Sequence, residues 1–169
     1  MRSVKLIAVS DPNGMIGSIL KKIMDLCGRT NCRVAPAGEP LRPEEVPYLL
    51  LAGTGEFADA AGKFQKYVAP YENQKGSPGP NQCFVTYSME DDRADYTVKN
   101  IRRSPDGQMT FEIVGAGVIG RVKRNSGQAE FVEQALAAAA AAMTAGISFA
   151  EVLDALNTMP LQAESVVPT

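Results

Sequence analysis

Apolar residues along the first 28 positions follow first a strand pattern and then a helix pattern. Residues 4–10 are mostly aliphatic or β-branched, which predicts a buried strand, and Asp11-Pro12-Asn13-Gly14 is a strong turn signal. Apolar residues then recur every three or four positions before Gly28: Ile16, Ile19, Leu20, Ile23, Met24 and Cys27. A strand, a glycine-containing turn and a helix together are the opening of a βαβ unit.

The next fifty residues extend this pattern with short strands and connectors. Strands are predicted around 32–35 and over 48–53, separated by a proline-rich connector at 36–47. A helix is predicted over 56–68 from apolar residues spaced three to four apart: Phe57, Ala60, Ala61, Phe64 and Tyr67. The stretch 70–82 is rich in Pro, Gly, Asn and Ser, which predicts an exposed loop.

The second half of the chain changes to antiparallel signals and then to helices. Strands are predicted over 83–87, 96–102, 109–114 and 118–122, and the Asp106-Gly107 turn is typical of a hairpin. An alanine-dense helix is predicted from Glu130 to Ala145, and its small side chains allow close approach to its neighbours. Ser148-Phe149-Ala150-Glu151 is a capping box that begins a last helix. This order of elements predicts the α/β class.

Size and charge suit one compact domain and exclude some partners. The chain has 169 residues and a mass of 18.0 kDa, with a net charge of −2 and a pI near 5.2. That balance gives no general attraction to nucleic acid or to an anionic membrane surface. The apolar run at the N-terminus is too short for a signal peptide, and no run approaches membrane-spanning length. We therefore expect a cytoplasmic protein.

The inventory of reactive side chains limits the possible chemistry. Histidine is absent, which removes the commonest general base and the usual nucleophile pairs. The three cysteines, Cys27, Cys32 and Cys83, lack the second pair that would complete a zinc site. Free thiols in a reducing compartment are expected.

Four motifs follow one another over residues 83–158. They are the segment Ala94-Asp95 to Asn100-Ile101, the turn Ser104-Pro105-Asp106-Gly107, the strand start Met109-Thr110-Phe111, and an alanine-rich helix ending in Gly146-Ile147-Ser148. In this order and spacing they resemble the central, ATP-binding domain of the Mur ligase family. The resemblance implies a single three-layer domain over residues 1–158 and a flexible tail over 159–169. In that fold a mainly parallel, P-loop-like sheet carries a small antiparallel β patch.

The family's phosphate loop, typically Thr-Gly-Thr-Asn-Gly-Lys-Thr, corresponds to Ser10-Asp11-Pro12-Asn13-Gly14-Met15-Ile16. Asn13 and Gly14 match, but Met15 stands at the lysine position and Ile16 at the hydroxyl position. A phosphate loop needs that lysine for the β- and γ-phosphates and that hydroxyl for magnesium. The missing lysine alone weakens triphosphate binding by about tenfold or more, because a charge-assisted hydrogen bond contributes roughly 1.5–3 kcal/mol.

The loop also has a purely structural interpretation, which we favour. Asp11 is a good N-cap with Pro12 as the first helical residue, and the apolar face of the helix then begins at Met15 and Ile16. Under the other interpretation, residues 11 and 13–16 keep a degenerate anion or nucleotide site. Gly53, Thr54 and Gly55 follow a buried strand, a position where α/β proteins bind ligands; an ordinary turn explains them as well.

Other functional residues implied by the family cannot be placed. Its metal-binding glutamate and histidine have no counterpart, and its adenine-contacting asparagine falls near Phe131 or Gln134. The family's UDP-sugar domain and C-terminal domain are also expected to be missing. Two charged clusters are weaker candidates: Glu90-Asp91-Asp92 with Asp95 for a cation, and two groups of arginines and lysines at 102–103 and 121–124 for a phosphate. A solvated turn and exposed strand positions explain them better.

These observations lead to the expectation of a non-catalytic, Mur-ligase-like domain with a binding or regulatory role, in a bacterial cytoplasm and with a link to peptidoglycan precursors. No catalytic residue, metal site or resident cofactor is expected, and the partner is a protein or a second copy, not nucleic acid or membrane. The alternative is an ATP- and magnesium-dependent, amide-bond-forming ligase or ligase subunit completed by a partner chain. A third hypothesis is an unrelated α/β domain with a different strand order.

Overall fold

The computed structural model describes residues 4–11, 13–56, 63–72, 83–115, 117–125 and 129–159. The strands are β1 (Val4–Ser10), β2 (Cys32–Pro36), β3 (Glu45–Ala52), β4 (Lys66–Pro70), β5 (Cys83–Ser88), β6 (Tyr96–Arg103), β7 (Met109–Gly115) and β8 (Val118–Arg124). The helices are α1 (Met15–Leu26), α2 (Ala129–Thr144) and α3 (Phe149–Thr158). The predicted tail lies outside the described residues from 160 onward.

The eight strands form one sheet in the order β2-β1-β3-β4-β5-β6-β7-β8. All pairs from β2 to β6 are parallel, and β6–β7 and β7–β8 are antiparallel. The α/β class and the mainly parallel sheet with a small antiparallel patch are therefore confirmed. Because β2 and β3 lie on opposite sides of β1, the chain changes direction across the sheet at the end of β1. Ligands of open α/β sheets bind at such a switch point.

The three helices pack together on one face of the sheet and share the larger hydrophobic core. Helix α2 is buried almost all round, and its alanines at 135 and 137–142 are each 0% exposed. Because an alanine adds little bulk, α2 packs between α1, α3 and strands β3 to β6, as its composition predicts. The opposite face carries a smaller cluster around Leu50 and Tyr67, with no helix on it in the described part of the chain. No helix among the described residues is long and apolar enough to cross a membrane.

Strand β6 begins level with the end of β5, because Tyr87 pairs with Tyr96 and Ser88 with Thr97. The seven residues between the two strands therefore make a sideways step and need no crossover helix, although the pair is parallel. Further along β6 the register shifts, and Asn100 adopts a left-handed conformation with φ 54° while its amide donates to Glu112. Asparagine tolerates this conformation better than most residues, and this explains why an asparagine occurs at the bulge.

Three predicted boundaries are wrong. Residues 66–68, predicted as the end of a helix, lie in strand β4; 57–62, the first part of that helix, lie outside the described residues. The connector predicted over 36–47 ends earlier, because β3 begins at Glu45. Strand β5 belongs to the parallel part of the sheet and not to the antiparallel patch. Most of the loop predicted at 70–82 also lies outside the described residues.

Side chains connect the outer strand β8 with helix α3. One side chain of β8 binds the backbone of α3, and one side chain of α3 binds the backbone of β8. Arg124 is buried and donates to the carbonyl oxygens of Leu156 (2.8 Å) and Met159 (2.6 Å), at the C-terminal end of α3. The amide of Asn157 accepts from the Lys123 N–H (2.7 Å) and donates to the Arg121 carbonyl (3.1 Å). Asn157 thereby occupies backbone groups at the edge of the sheet that another strand would use.

An ion pair connects the two strands that flank β1. The guanidinium of Arg33 in β2 donates to the carboxylate of Glu45 at the start of β3, and the Arg42 N–H donates to the same carboxylate at 2.9 Å. The Glu45 side chain is only 1% exposed. The hydrogen bonds from Arg33 hold the pKa of Glu45 at about 2, below its ordinary value of 4.5.

This ion pair predicts a loss of stability in acid. Because the pKa of Glu45 is lower in the folded chain, its contribution is complete above about pH 4.5 and is lost as the pH falls toward 2. Glu45→Gln should be less stable than the wild type at pH 7, with a flatter pH dependence between pH 4.5 and 2. Urea unfolding followed by circular dichroism at a series of pH values measures this difference.

Asp91→Asn is the matched control for that measurement. The pKa of Asp91 is also lowered to about 2, by hydrogen bonds from Arg93, but its partner is only two residues away. A pair so close in sequence persists in part when the chain unfolds, so we expect Asp91→Asn to leave most of the acid loss in place. Equal flattening by both variants would contradict the role given to Glu45.

Candidate functional site

The turn between β1 and α1 satisfies its own backbone N–H groups with its own side chains. The Asp11 carboxylate accepts a hydrogen bond from the Ile16 N–H at 2.6 Å, and Asn13 Oδ1 accepts one from the Met15 N–H at 3.0 Å. Gly14 precedes the helix with φ 73°, a left-handed conformation that glycine adopts without strain. Two of the N–H groups that would hold a phosphate at this helix start, those of Met15 and Ile16, are therefore already occupied.

The N-cap predicted at Asp11 is wrong in position. Helix α1 begins at Met15 and its N-cap residue is Gly14, whereas Asp11 reaches the second helical N–H from three residues further back. Pro12, predicted as the first helical residue, lies outside the described residues. Ile16, at the position of the family's hydroxyl, is 7% exposed and belongs to the main core.

The second predicted loop lies directly beside the first. Ser10 and Thr54 place their hydroxyl oxygens 3.4 Å apart, and the Gly55 N–H donates to the Ala52 carbonyl at 2.9 Å. A Cβ on Gly53 would lie 2.7 Å from the Ser10 carbonyl oxygen, so only glycine permits this approach of β1 and β3. The structure thus brings both loops to the switch point of the sheet. That either loop binds a ligand stays a prediction.

Carboxylates from distant segments converge on the same edge of the sheet. Tyr87 near the end of β5 is 2% exposed, and burial raises the pKa of its hydroxyl, with further increases from the carboxylates of Glu133, Asp11 and Glu72. The Ser88 hydroxyl, also buried, donates to the Glu72 carboxylate. The carboxyl edge of the sheet is therefore negatively charged around Tyr87.

A cleft of about 320 Å³ lies between α1 and strands β1 and β2. Its apolar wall includes Val9 and Val34, its helical wall is formed at Gly14 and Gly17, and Asp11 and Lys21 stand on its rim. The lower size limit of small-molecule sites in proteins is close to this volume.

The acidic cluster predicted as a weak cation site is divided among separate partners. Asp91 pairs with Arg93 at 2.8 Å, and Asp92 pairs with Lys99 at 2.6 Å. Asp95 accepts hydrogen bonds from the Thr86 N–H and hydroxyl. Within the described ranges, no group of three or more Cys, Asp or Glu side chains is arranged to hold a metal ion.

The basic residues predicted as a phosphate patch are only partly brought together: Arg102 and Arg121 line one cleft, together with Glu112. Arg124 points into the protein to α3, and Arg121 lies 3.5 Å from the Glu112 carboxylate. Arg102 lies on the exposed part of β6. The thiols are free, as expected, and burial raises the pKa of Cys27 and Cys32, which makes these thiols less reactive.

The mainly parallel sheet, in which strand β1 is followed by a glycine-containing loop and a helix, identifies this chain as an open-sheet α/β protein. The particular fold is that of the Mur ligases. The UDP-N-acetylmuramate–alanine ligase of Thermotoga maritima matches at a TM-score of 0.67 and 15% identity, covering 92% of this chain and 44% of that one. A Neisseria murein peptide ligase matches at 0.65 and 14%, covering 95% and 67%. A D-alanyl-D-alanyl-adding ligase of Acinetobacter baumannii matches at 0.63 and 13%, covering 94% and 46%.

The chain spans less than half the length of most of these ligases. No protein-family model and no curated protein sequence matches it. At identities of this size the likeness establishes the fold alone. It contradicts the hypothesis of an α/β domain with a different fold.

Several residues of the site escape sequence reasoning. Glu72 follows a strand whose sequence resembles that of a helix. Glu133 lies in a helix that is distant along the chain. Gly17 carries a signal that was available: a glycine inside an otherwise regular apolar helix pattern marks a special local requirement. Lys21 becomes notable only with the cleft beside it.

Proposed function

We propose that this chain is a non-catalytic Mur-ligase-like domain that acts as a binding or regulatory module through contacts with a protein partner. In this role it binds no ATP and needs no magnesium. A connection with cell-wall precursors is part of the proposal, because the names of the ligases with the same fold contain muramoyl peptides as substrates.

One observation carries the proposal: the Asp11 carboxylate holds the Ile16 N–H at 2.6 Å. A phosphate loop works by offering backbone N–H groups to a phosphate at a helix N-terminus. In this loop a side-chain carboxyl group of the chain itself already fills that position. An incoming triphosphate has to displace Asp11 and then remain beside it, and Met15 supplies no positive charge in return.

The surrounding charge supports the same conclusion. Glu72 and Glu133 lie close enough to Tyr87 to raise the pKa of its hydroxyl, so their charges extend over the carboxyl edge of the sheet. Like charges at one site are mutually destabilising, and ATP brings several negative charges. The electrostatic field at the loop therefore opposes nucleotide binding beyond the loss of single contacts.

Calorimetric titration with magnesium-ATP tests the proposal. We expect no heat of binding for the wild type up to millimolar nucleotide. In the variant Asp11→Gly/Met15→Lys/Ile16→Thr, the N–H groups are released and the lysine and hydroxyl are restored. This variant should show measurable binding, and Met15→Lys/Ile16→Thr alone should bind at least tenfold more weakly because Asp11 still fills the loop.

Thermal unfolding of each variant is the necessary control, because Ile16 is buried and its replacement by threonine weakens the core. Tight binding of ATP by the wild type would overturn the proposal and would direct attention to a ligase subunit completed by a partner chain. ATP turnover that depends on Asn13 or Gly14 would overturn it as well.

A further inference from the structure

The cleft between α1 and strands β1 and β2 shares Asp11 and Gly14 with the loop of the proposed function, but its other lining residues have no role there. Its volume is about 320 Å³, and its lining is mainly apolar on the strand side. Val9 is buried, and Val34 is half-buried. Apolar surface left open to water in a cleft is a source of binding free energy for a ligand of matching shape.

Gly17 keeps this cleft open. A glycine inside a helix destabilises it by roughly 0.5–1 kcal/mol relative to alanine. Neighbouring groups do not require glycine here, because a Cβ at this position would meet only the Val9 side chain at an ordinary 3.8 Å. The backbone of α1 is helical at Gly17, so no special φ value requires glycine either. Because Gly17 has no side chain, the space beside it in the cleft stays unfilled.

Two residues of opposite charge, Asp11 and Lys21, line the cleft. Asp11 uses one oxygen, Oδ2, for the Ile16 N–H, and no described residue donates to its other oxygen. Lys21 is exposed, and no described residue forms an ion pair with it. Seven residues of helix separate Gly14, next to Asp11, from Lys21, which corresponds to about 10 Å along the axis. Helical side chains lean toward the N-terminus, which brings the two charges somewhat closer together.

We propose that this cleft binds a small zwitterion with an apolar body, whose ammonium group pairs with Asp11 and whose carboxylate pairs with Lys21. The apolar body packs on Val9 and Val34 over the backbone of Gly17. Both charged groups of such a ligand gain an opposite charge, whereas an amine or a carboxylate alone gains only one. The proposal does not depend on whether the neighbouring loop binds ATP.

A series of linear ω-amino acids tests this proposal, because the distance between the ammonium group and the carboxylate increases along the series. Binding is followed by changes in the amide resonances of Gly14, Gly17 and Val34 in two-dimensional NMR spectra of the full chain. Aminohexanoate and aminooctanoate should shift these resonances in a saturable way and bind tightest, because roughly five to seven methylene groups span the expected separation. Aminobutanoate, hexylamine and hexanoate should bind at least tenfold more weakly.

Variants separate the site from a general effect of charge. Lys21→Met and Asp11→Asn should each weaken binding of aminohexanoate about tenfold; the asparagine oxygen still accepts from the Ile16 N–H, so the loop is kept. Lys22→Met, at the next position of the helix, should leave the affinity unchanged. Gly17→Leu should abolish binding without lowering the melting temperature, because leucine fills the cleft and favours the helix.

The outcomes that would overturn the proposal are specific. Equal binding of hexylamine, hexanoate and aminohexanoate would show that the two charges do not act together. Retained binding by Gly17→Leu would place the ligand elsewhere. Absence of any saturable shift with the whole series would show that the cleft takes no such ligand, and the result of the ATP titration would be unaffected by it.

Discussion

Replacing Gly115 with alanine is expected to destabilise the chain by about 4 kcal/mol or more. Gly115 ends β7 with φ 151°, in a region that side chains rarely allow. A Cβ there would lie 2.0 Å from the Asp95 carbonyl oxygen and 2.9 Å from the Tyr96 Cα. Both atoms belong to the backbone at the start of β6, so relief requires a shift of the strand that joins the parallel and antiparallel parts of the sheet.

Gly120→Ala is the matched comparison in the neighbouring strand. Its Cβ would lie 2.1 Å from the Leu153 Cδ1 and 2.8 Å from the Phe149 Cε2, both of which are the ends of side chains. Because Leu153 can change rotamer, we expect a loss of about 1–3 kcal/mol, which is the usual range for overpacking. Urea unfolding at pH 7 gives both values. A chain that is already unfolded without urea satisfies the expectation for Gly115, and a loss no larger than that of Gly120→Ala contradicts it.

Replacing Arg124 with methionine is expected to lower the free energy of unfolding by about 3 kcal/mol. Arg124 is 6% exposed, and it donates to two carbonyl groups at the end of α3 that no further turn of helix satisfies. Methionine fills a similar space but leaves these carbonyls without their donor. The positive charge near the C-terminus of a helix is also favourable and is lost with the arginine.

Two other substitutions define what Arg124 contributes. Arg121→Met, three residues earlier in β8, removes an exposed arginine whose ion pair with Glu112 measures 3.5 Å, so a loss of no more than about 1 kcal/mol is expected. Arg124→Lys keeps the charge but cannot donate in two directions in the same plane, so an intermediate loss is expected. Similar losses in Arg121→Met and Arg124→Met would show that burial and the carbonyl contacts are unimportant.

Much of the fold follows from local sequence patterns, and the failures have a physical cause. The strand, turn and helix over residues 4–27 and the hairpin around Asp106-Gly107 are confirmed because each rests on a clear period and a turn signal. The helix predicted over 56–68 is contradicted at Tyr67 and Val68, which are buried between β3 and β5. A short apolar run buried on both faces has no period that separates a strand from a helix.

The site was less accessible to sequence reasoning than the fold. The losses of lysine and hydroxyl at Met15 and Ile16 are visible by comparison with the family's loop. The hydrogen bond from the Ile16 N–H to Asp11 spans five residues through a turn and depends on the left-handed conformation of Gly14. The convergence of Glu72 and Glu133 on Tyr87 depends on the packing of β4, β5 and α2. Contacts between distant segments leave no local pattern in a sequence.

The contact of Asn157 with β8 has a consequence for how this protein fails. An outer strand with open backbone groups can recruit a strand from another molecule, which is a common first step of aggregation. Here the Asn157 amide covers the groups at Arg121 and Lys123, and Asn157 belongs to α3. When α3 detaches, the chain therefore loses this cover and exposes the apolar side of the helix in a single event. Resistance to aggregation at the β8 edge of the sheet thus depends on how firmly one ten-residue helix stays docked.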